Sequence, residues 1–126
     1  EILKPDASQA LAFKALILRI KGNFDEFRKQ AFKAYEVNPE NKLTQVTMAL
    51  AIVDNKTEEA LEMIDELDKK GNDSLVLLIR PIIYAKAGKI DKAKELYKEI
   101  PKELLKTKNA LYKGILDEIN KSLKGG

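Results

Sequence analysis

A single phrase recurs along this chain. Residues 22–39 read Gly-Asn-Phe-Asp-Glu-Phe-Arg-Lys-Gln-Ala-Phe-Lys-Ala-Tyr-Glu-Val-Asn-Pro, and residues 88–101 read Gly-Lys-Ile-Asp-Lys-Ala-Lys-Glu-Leu-Tyr-Lys-Glu-Ile-Pro. Between them, residues 55–67 give Asn-Lys-Thr-Glu-Glu-Ala-Leu-Glu-Met-Ile-Asp-Glu-Leu. Each copy is a turn followed by an amphipathic helical pattern, and each follows another apolar stretch with helical spacing. A period of roughly 34 residues predicts stacked helix pairs, because no single pair can hide its apolar face alone. The expected fold is therefore all-α, a right-handed superhelical solenoid of antiparallel helix pairs. Chains built this way present extended surfaces to partners.

The pattern sets the expected elements. Ala7–Lys21 reads as a helix with Ser8 as a candidate cap, ended by Gly22, which tolerates positive φ. Asn23 with Glu26 has capping-box spacing for the next helix, whose buried stripe is Phe24, Phe27, Ala31, Ala34 and Tyr35. Pro39 blocks its continuation. A third helix is predicted from Lys42 to Asp54, and a fourth from Glu58 to Lys70 after the cap candidate Thr57. Gly71-Asn72-Asp73-Ser74 reads as a turn. The fifth helix, Leu75–Ala87, is apolar nearly all round, which predicts cover on more than one side. Pro81 inside it predicts a kink. The sixth runs from Asp91 to Ile100 and stops at Pro101. The tail from Lys102 to Leu123 keeps a helical stripe, as one helix or as two divided near Thr107, and is expected to cap the stack. Residues 1–6 resemble the end of the second helix, so they read as the remnant of an earlier repeat in a longer repeat protein.

Composition removes several chemistries. At 126 residues the chain is the size of one domain, and 44% hydrophobic residues argue against disorder. It has no cysteine and no histidine, which excludes disulfides, thiolate chemistry and the commonest metal ligand and general base. The expectation is no metal and no cofactor. The longest apolar run, Leu75–Ala85, contains Arg80 and Pro81 and is about half the length of a membrane span. A soluble chain is expected, with the cytoplasm as the default compartment. Lysine and glutamate enrichment resembles a thermophile composition, although an AT-rich genome gives the same bias. The net charge of +3 is uneven. Residues 1–85 are net −2, whereas residues 86–126 carry eleven lysines and six acids, a net of +5. That basic third is an alternative contact for nucleic acid or anionic lipid. The interspersed acids and the lack of an aromatic platform favour a solvated helix face instead.

Other clusters read as structural. The acidic run Glu58, Glu59, Glu62, Asp65, Glu66 and Asp68 lacks the glycine-containing loop of a calcium site and is expected to be a solvated face. Tyr84, Tyr97 and Tyr112 are expected as core or crossing residues. Gly114 inside an apolar helix predicts the close approach of another helix. With no phosphate-cradling loop, ligand cluster or nucleophile elbow, the chain is not expected to be an enzyme.

These features resemble the tetratricopeptide repeat family. In residues 8–41 the matching positions are Ala15 at the close crossing, Gly22, Phe24, Ala34 and Pro39, with the family's Ala-then-aromatic pair exchanged to Phe27 and Ala31. In residues 42–73 they are Ala49, Ala60 and Ile64, with one turn residue missing. In residues 74–101 they are Gly88, Ala93, Tyr97 and an early Pro101, with Pro81 at the small position. The resemblance implies three degenerate repeats plus a C-terminal helical cap at 102–123. It also implies that the first helix of each pair lines a concave face. Its apolar members, the expected partner-binding set, are Phe13, Leu16 and Ile20, then Leu43, Val46, Leu50 and Val53, then Leu78, Ile79 and Ile82. The family's carboxylate-clamp positions read Ala12, Leu16, Thr47, Leu75 and Ile79, which cannot grip a peptide's terminal carboxylate. The implied function is a non-catalytic protein-interaction scaffold that binds an apolar or amphipathic segment on this face. A self-assembly module forming homo-oligomers is an alternative. Three coverings of the face fit the pattern: the chain's own C-terminal helix, a partner segment, or a second copy.

Overall fold

The computed structural model describes residues 7–71 and 73–124. The expectations for residues 1–6 and Asn72 fall outside them. The described residues form α1 (Ala7–Ile20), α2 (Phe24–Val37), α3 (Lys42–Ile52), α4 (Thr57–Lys69), α5 (Ser74–Lys86), α6 (Ile90–Lys98), α7 (Lys102–Leu105) and α8 (Ala110–Lys124). They contain no strand. The tail is thus two helices, one of them a single turn.

Within each pair the turn is dictated by the backbone. Gly22 and Gly88 take φ of +87° and +85°. Behind each, the next residue donates its N–H to a carbonyl five residues back, Asn23 to Leu18 and Lys89 to Tyr84, both at 2.9 Å. This is the Schellman closure that a β-carbon would strain. The second pair lacks the glycine and closes instead with the Lys56 N–H bonding the Ile52 carbonyl at 2.7 Å. Capping differs from expectation. The Asn23 side chain makes no cap hydrogen bond, and Thr57 lies inside α4, where its hydroxyl donates to the Val53 carbonyl at 2.7 Å. Asn41, accepting from the Thr44 N–H, caps α3, and Asp73, accepting from the Leu75 and Val76 N–H groups, caps α5. Each satisfies donors that a helix start leaves open.

Helices α1, α3 and α5 pack side by side, and α2 and α4 wedge against the following pair. Among the described residues no packing of comparable extent joins α2 to α4 or α4 to α6. The closely spaced layer must then lie on the inside of the curve, so α1, α3 and α5 form the concave wall. Small residues permit the close crossings: Ala15, Ala31, Ala49 and Ala60 are fully buried, as is Phe27. Both members of the exchanged Phe27–Ala31 pair are therefore core residues. Pro81 is buried within α5, which continues through it to Lys86.

The last helix does more than cap the stack. It touches α6, packs extensively on α5 and reaches α1, so it crosses the concave side from the third pair to the first.

Candidate functional site

The ten side chains expected to face a partner come from three elements, and the structure separates them by depth. Seven are buried: Leu16 of α1, Val46 and Leu50 of α3, Val53 just beyond α3, and Leu78, Ile79 and Ile82 of α5. Mutual packing of the inner helices and the α8 cover account for this. The surface the set was expected to offer is reduced to Phe13 and Ile20, 39% and 38% exposed, and the half-buried Leu43.

The seating of α8 is set by three contacts. Its start is capped by Asn109, whose side chain accepts from the Tyr112 N–H at 3.1 Å. One turn on, Gly114 passes over Ile20, where a β-carbon would lie 2.7 Å from Cδ1 and 2.8 Å from both γ-carbons. The close approach expected of this glycine is made to α1. Next, Glu118 accepts from Arg19 Nε at 2.9 Å and from Nη2 at 2.6 Å, a forked ion pair. The Arg19 guanidinium also lies 4.9 Å from the Phe27 ring centroid and 5.2 Å from that of Phe24. Ile115, Leu116 and Ile119 supply the buried face of α8.

Beyond α8 the concave wall stays open at the starts of the inner helices. A cavity of about 240 Å³ lies there, lined by Phe13, Leu43, Val46 and Leu75 with Gln9, Asn41, Lys42 and Asp73 at its edge. Lys42 Nζ is 4.0 Å from Asp73, and the Asn41 amide is 3.5 Å from the Gln9 carbonyl oxygen. The arrangement is an apolar floor with a polar edge of both charges, which suits a side chain of a bound segment and is too small for a whole helix.

The acidic run behaves differently from a simple solvated face. Glu58, Glu59, Glu62 and Glu66 are exposed, but Asp65 and Asp68 turn toward α5. Arg80 Nε donates to Asp65 at 3.1 Å and its Nη1 lies 3.3 Å from Asp68. The Tyr84 hydroxyl donates to Asp65 at 2.8 Å. Burial works against the Arg80 charge, but Asp68 and Asp65 outweigh it and raise its pKa. Burial also raises the Tyr84 phenol, and its hydrogen bond to Asp65 adds to this. Both groups hold their protons at neutral pH, so the cluster is a strut between the second and third pairs. Sequence spacing did not reveal it, because its members are brought together across two helices. Among the described residues no group of histidine, cysteine, aspartate and glutamate is placed to hold a metal ion.

Similarity to known proteins agrees with this geometry. A family model described as PPR repeat matches residues 82–103, which run from the second half of α5 through α6 into α7. The NMR structure of the first TPR domain of the human RPAP3 protein superposes with a TM-score of 0.55 over 97% of this chain and 96% of that one, at 18% identity. The chain is a TPR-like helical repeat. No curated protein matches its sequence. Within the TPR-like frame, α1, α3 and α5 are the first helices of three pairs, and α8 packs on α5 and reaches α1. No described helix is long and apolar enough to cross a membrane.

Proposed function

We propose that this TPR-like chain is a non-catalytic protein-interaction scaffold that takes an apolar or amphipathic segment at the open end of its concave wall. Helical repeats of this kind generally work as binding scaffolds. The observation that carries the reading is the cavity between Phe13, Leu43 and Leu75, the part of the inner wall that α8 leaves uncovered. The partner segment enters there with one apolar side chain over Leu43 and polar groups toward Lys42 and Asp73. Of the buried members of the expected set, Val46 lines this opening, whereas Leu50 and Ile82 belong to the core. Absence of histidine and cysteine supports a role without catalysis.

The experiment is a display selection of peptides on the full chain, followed by affinity measurement on Phe13→Glu. Apolar or amphipathic segments should be enriched, and the substitution should weaken them about tenfold while helical circular dichroism is unchanged. A charge at Leu50 or Ile82 would be uninformative, since both are buried in the core and the substitution would unfold it. Enriched peptides that bind Phe13→Glu as tightly as the parent would end the groove reading.

A further inference from the structure

A second cleft lies at the far end of the molecule, between α6, the turn after α7, and α8. It has a volume of about 590 Å³. Its floor is apolar: Leu116 is buried, Tyr97 is half-buried, and Leu105 stands 39% exposed at the edge. Leu105 is also the one large apolar side chain, among the described residues, that is exposed outside α1 and α2. Three lysines surround this floor: Lys106 and Lys108 from the turn and Lys113 from α8. No acid occurs between Glu103 and Asp117, and none of the three lysines has an ion-pair partner among the described residues. Asp117 and Asn120 form the α8 side of the cleft.

The geometry points to a docking site for an acidic protein segment that carries an apolar anchor. The charge argument is local. The lysines of α6 and α7 alternate with Asp91, Glu95, Glu99 and Glu103, so the basic surface does not continue as a track along a nucleic-acid backbone. It is confined to one concave place of peptide size, with an exposed leucine beside it. Lysines act as mobile point charges and suit several spread carboxylates better than one forked anion. At the start of α8 the Tyr112 N–H is already engaged by Asn109. A segment with Glu or Asp on both sides of a Leu or Phe would set the apolar side chain against Leu105 and Tyr97 and its carboxylates near Lys106, Lys108 and Lys113. This site is separate from the Phe13 opening and does not depend on it.

The test is fluorescence anisotropy on the full chain with a labelled peptide bearing Glu and Asp on both sides of a Leu-Phe pair. Controls are the same peptide with Gln and Asn in place of the acids, and a single-stranded oligouridylate. The acidic peptide should bind saturably and weaken as salt is raised. Lys106→Glu with Lys108→Glu should weaken it at least about tenfold, and Leu105→Ser about threefold, with helical content unchanged because all three side chains are exposed. Phe13→Glu should leave this binding intact, which keeps the outcome distinct from the groove test. Absence of saturable binding, equal binding of the neutral peptide, indifference to the lysine reversals, or tighter oligouridylate binding through the same lysines would each overturn the proposal.

Discussion

The first and third helix pairs share the same turn, and they hide their apolar side chains very differently. Gly22 and Gly88 close the two pairs with nearly identical geometry. Yet six large apolar side chains of the first pair are exposed: Phe13, Ile17, Ile20, Phe24, Phe32 and Val37. In the third pair, Leu78, Ile79, Ile82 and Ile83 of α5 are fully buried. The difference lies in the number of neighbours. Helix α5 is flanked by α3, α4, α6 and α8, whereas α1 has α2, α3 and the edge of α8. Burial here follows position in the stack, and hydrophobicity alone does not set it.

That comparison can be broken most directly by matched truncations. Ile82→Ala should cost about 2–5 kcal/mol in urea unfolding, the range for emptying a packed site. Ile17→Ala, at a side chain 46% exposed, should stay within about 0.5 kcal/mol. Equal losses at the two positions would remove the distinction between the pairs. A smaller effect tests how α8 links them. Gly114→Val places carbon where Ile20 already sits, and should cost about 1–3 kcal/mol through overpacking. Amide exchange should rise first in α8; unchanged protection there would mean that α8 is not held by this contact. A further effect concerns the strut. Tyr84→Phe should cost about 1 kcal/mol at neutral pH by deleting the hydrogen bond to Asp65. Folding raises the Tyr84 pKa, so this contribution is fully present below the unfolded tyrosine value of about 10 and fades as pH climbs through the folded value. The gap between parent and variant should therefore close in alkaline solution. A gap that widens would contradict the assigned cause.

Much of the architecture was legible because local signals agreed. The helix limits follow from Gly22, Pro39, Gly71, Gly88 and Pro101, and the crossing residues from Ala15 and Ala49. Capping was less legible, since Asn23 and Thr57 have the right chemistry but not the right backbone, while Asn41 and Asp73 do the capping. The site was legible only in outline. A stripe such as Ile115, Leu116 and Ile119 requires burial but does not name its partner, so the sequence allowed a terminal cap as readily as a helix laid across the concave wall. Gly114 was the one local hint. The Asp65–Arg80–Tyr84 strut and the lysines around Leu105 depend on chain segments meeting in space, which spacing along one helix cannot express.

The Arg19–Glu118 pair joins residues 99 apart in the chain. In an open array of repeats the terminal units unzip independently, and folding needs only short-range encounters. Here α8 is clasped to α1, so neither helix can detach without breaking the same link. The clasp also imposes a late, long-range ring closure on an otherwise fast and local assembly, and it should make the melting of the three pairs a single concerted event.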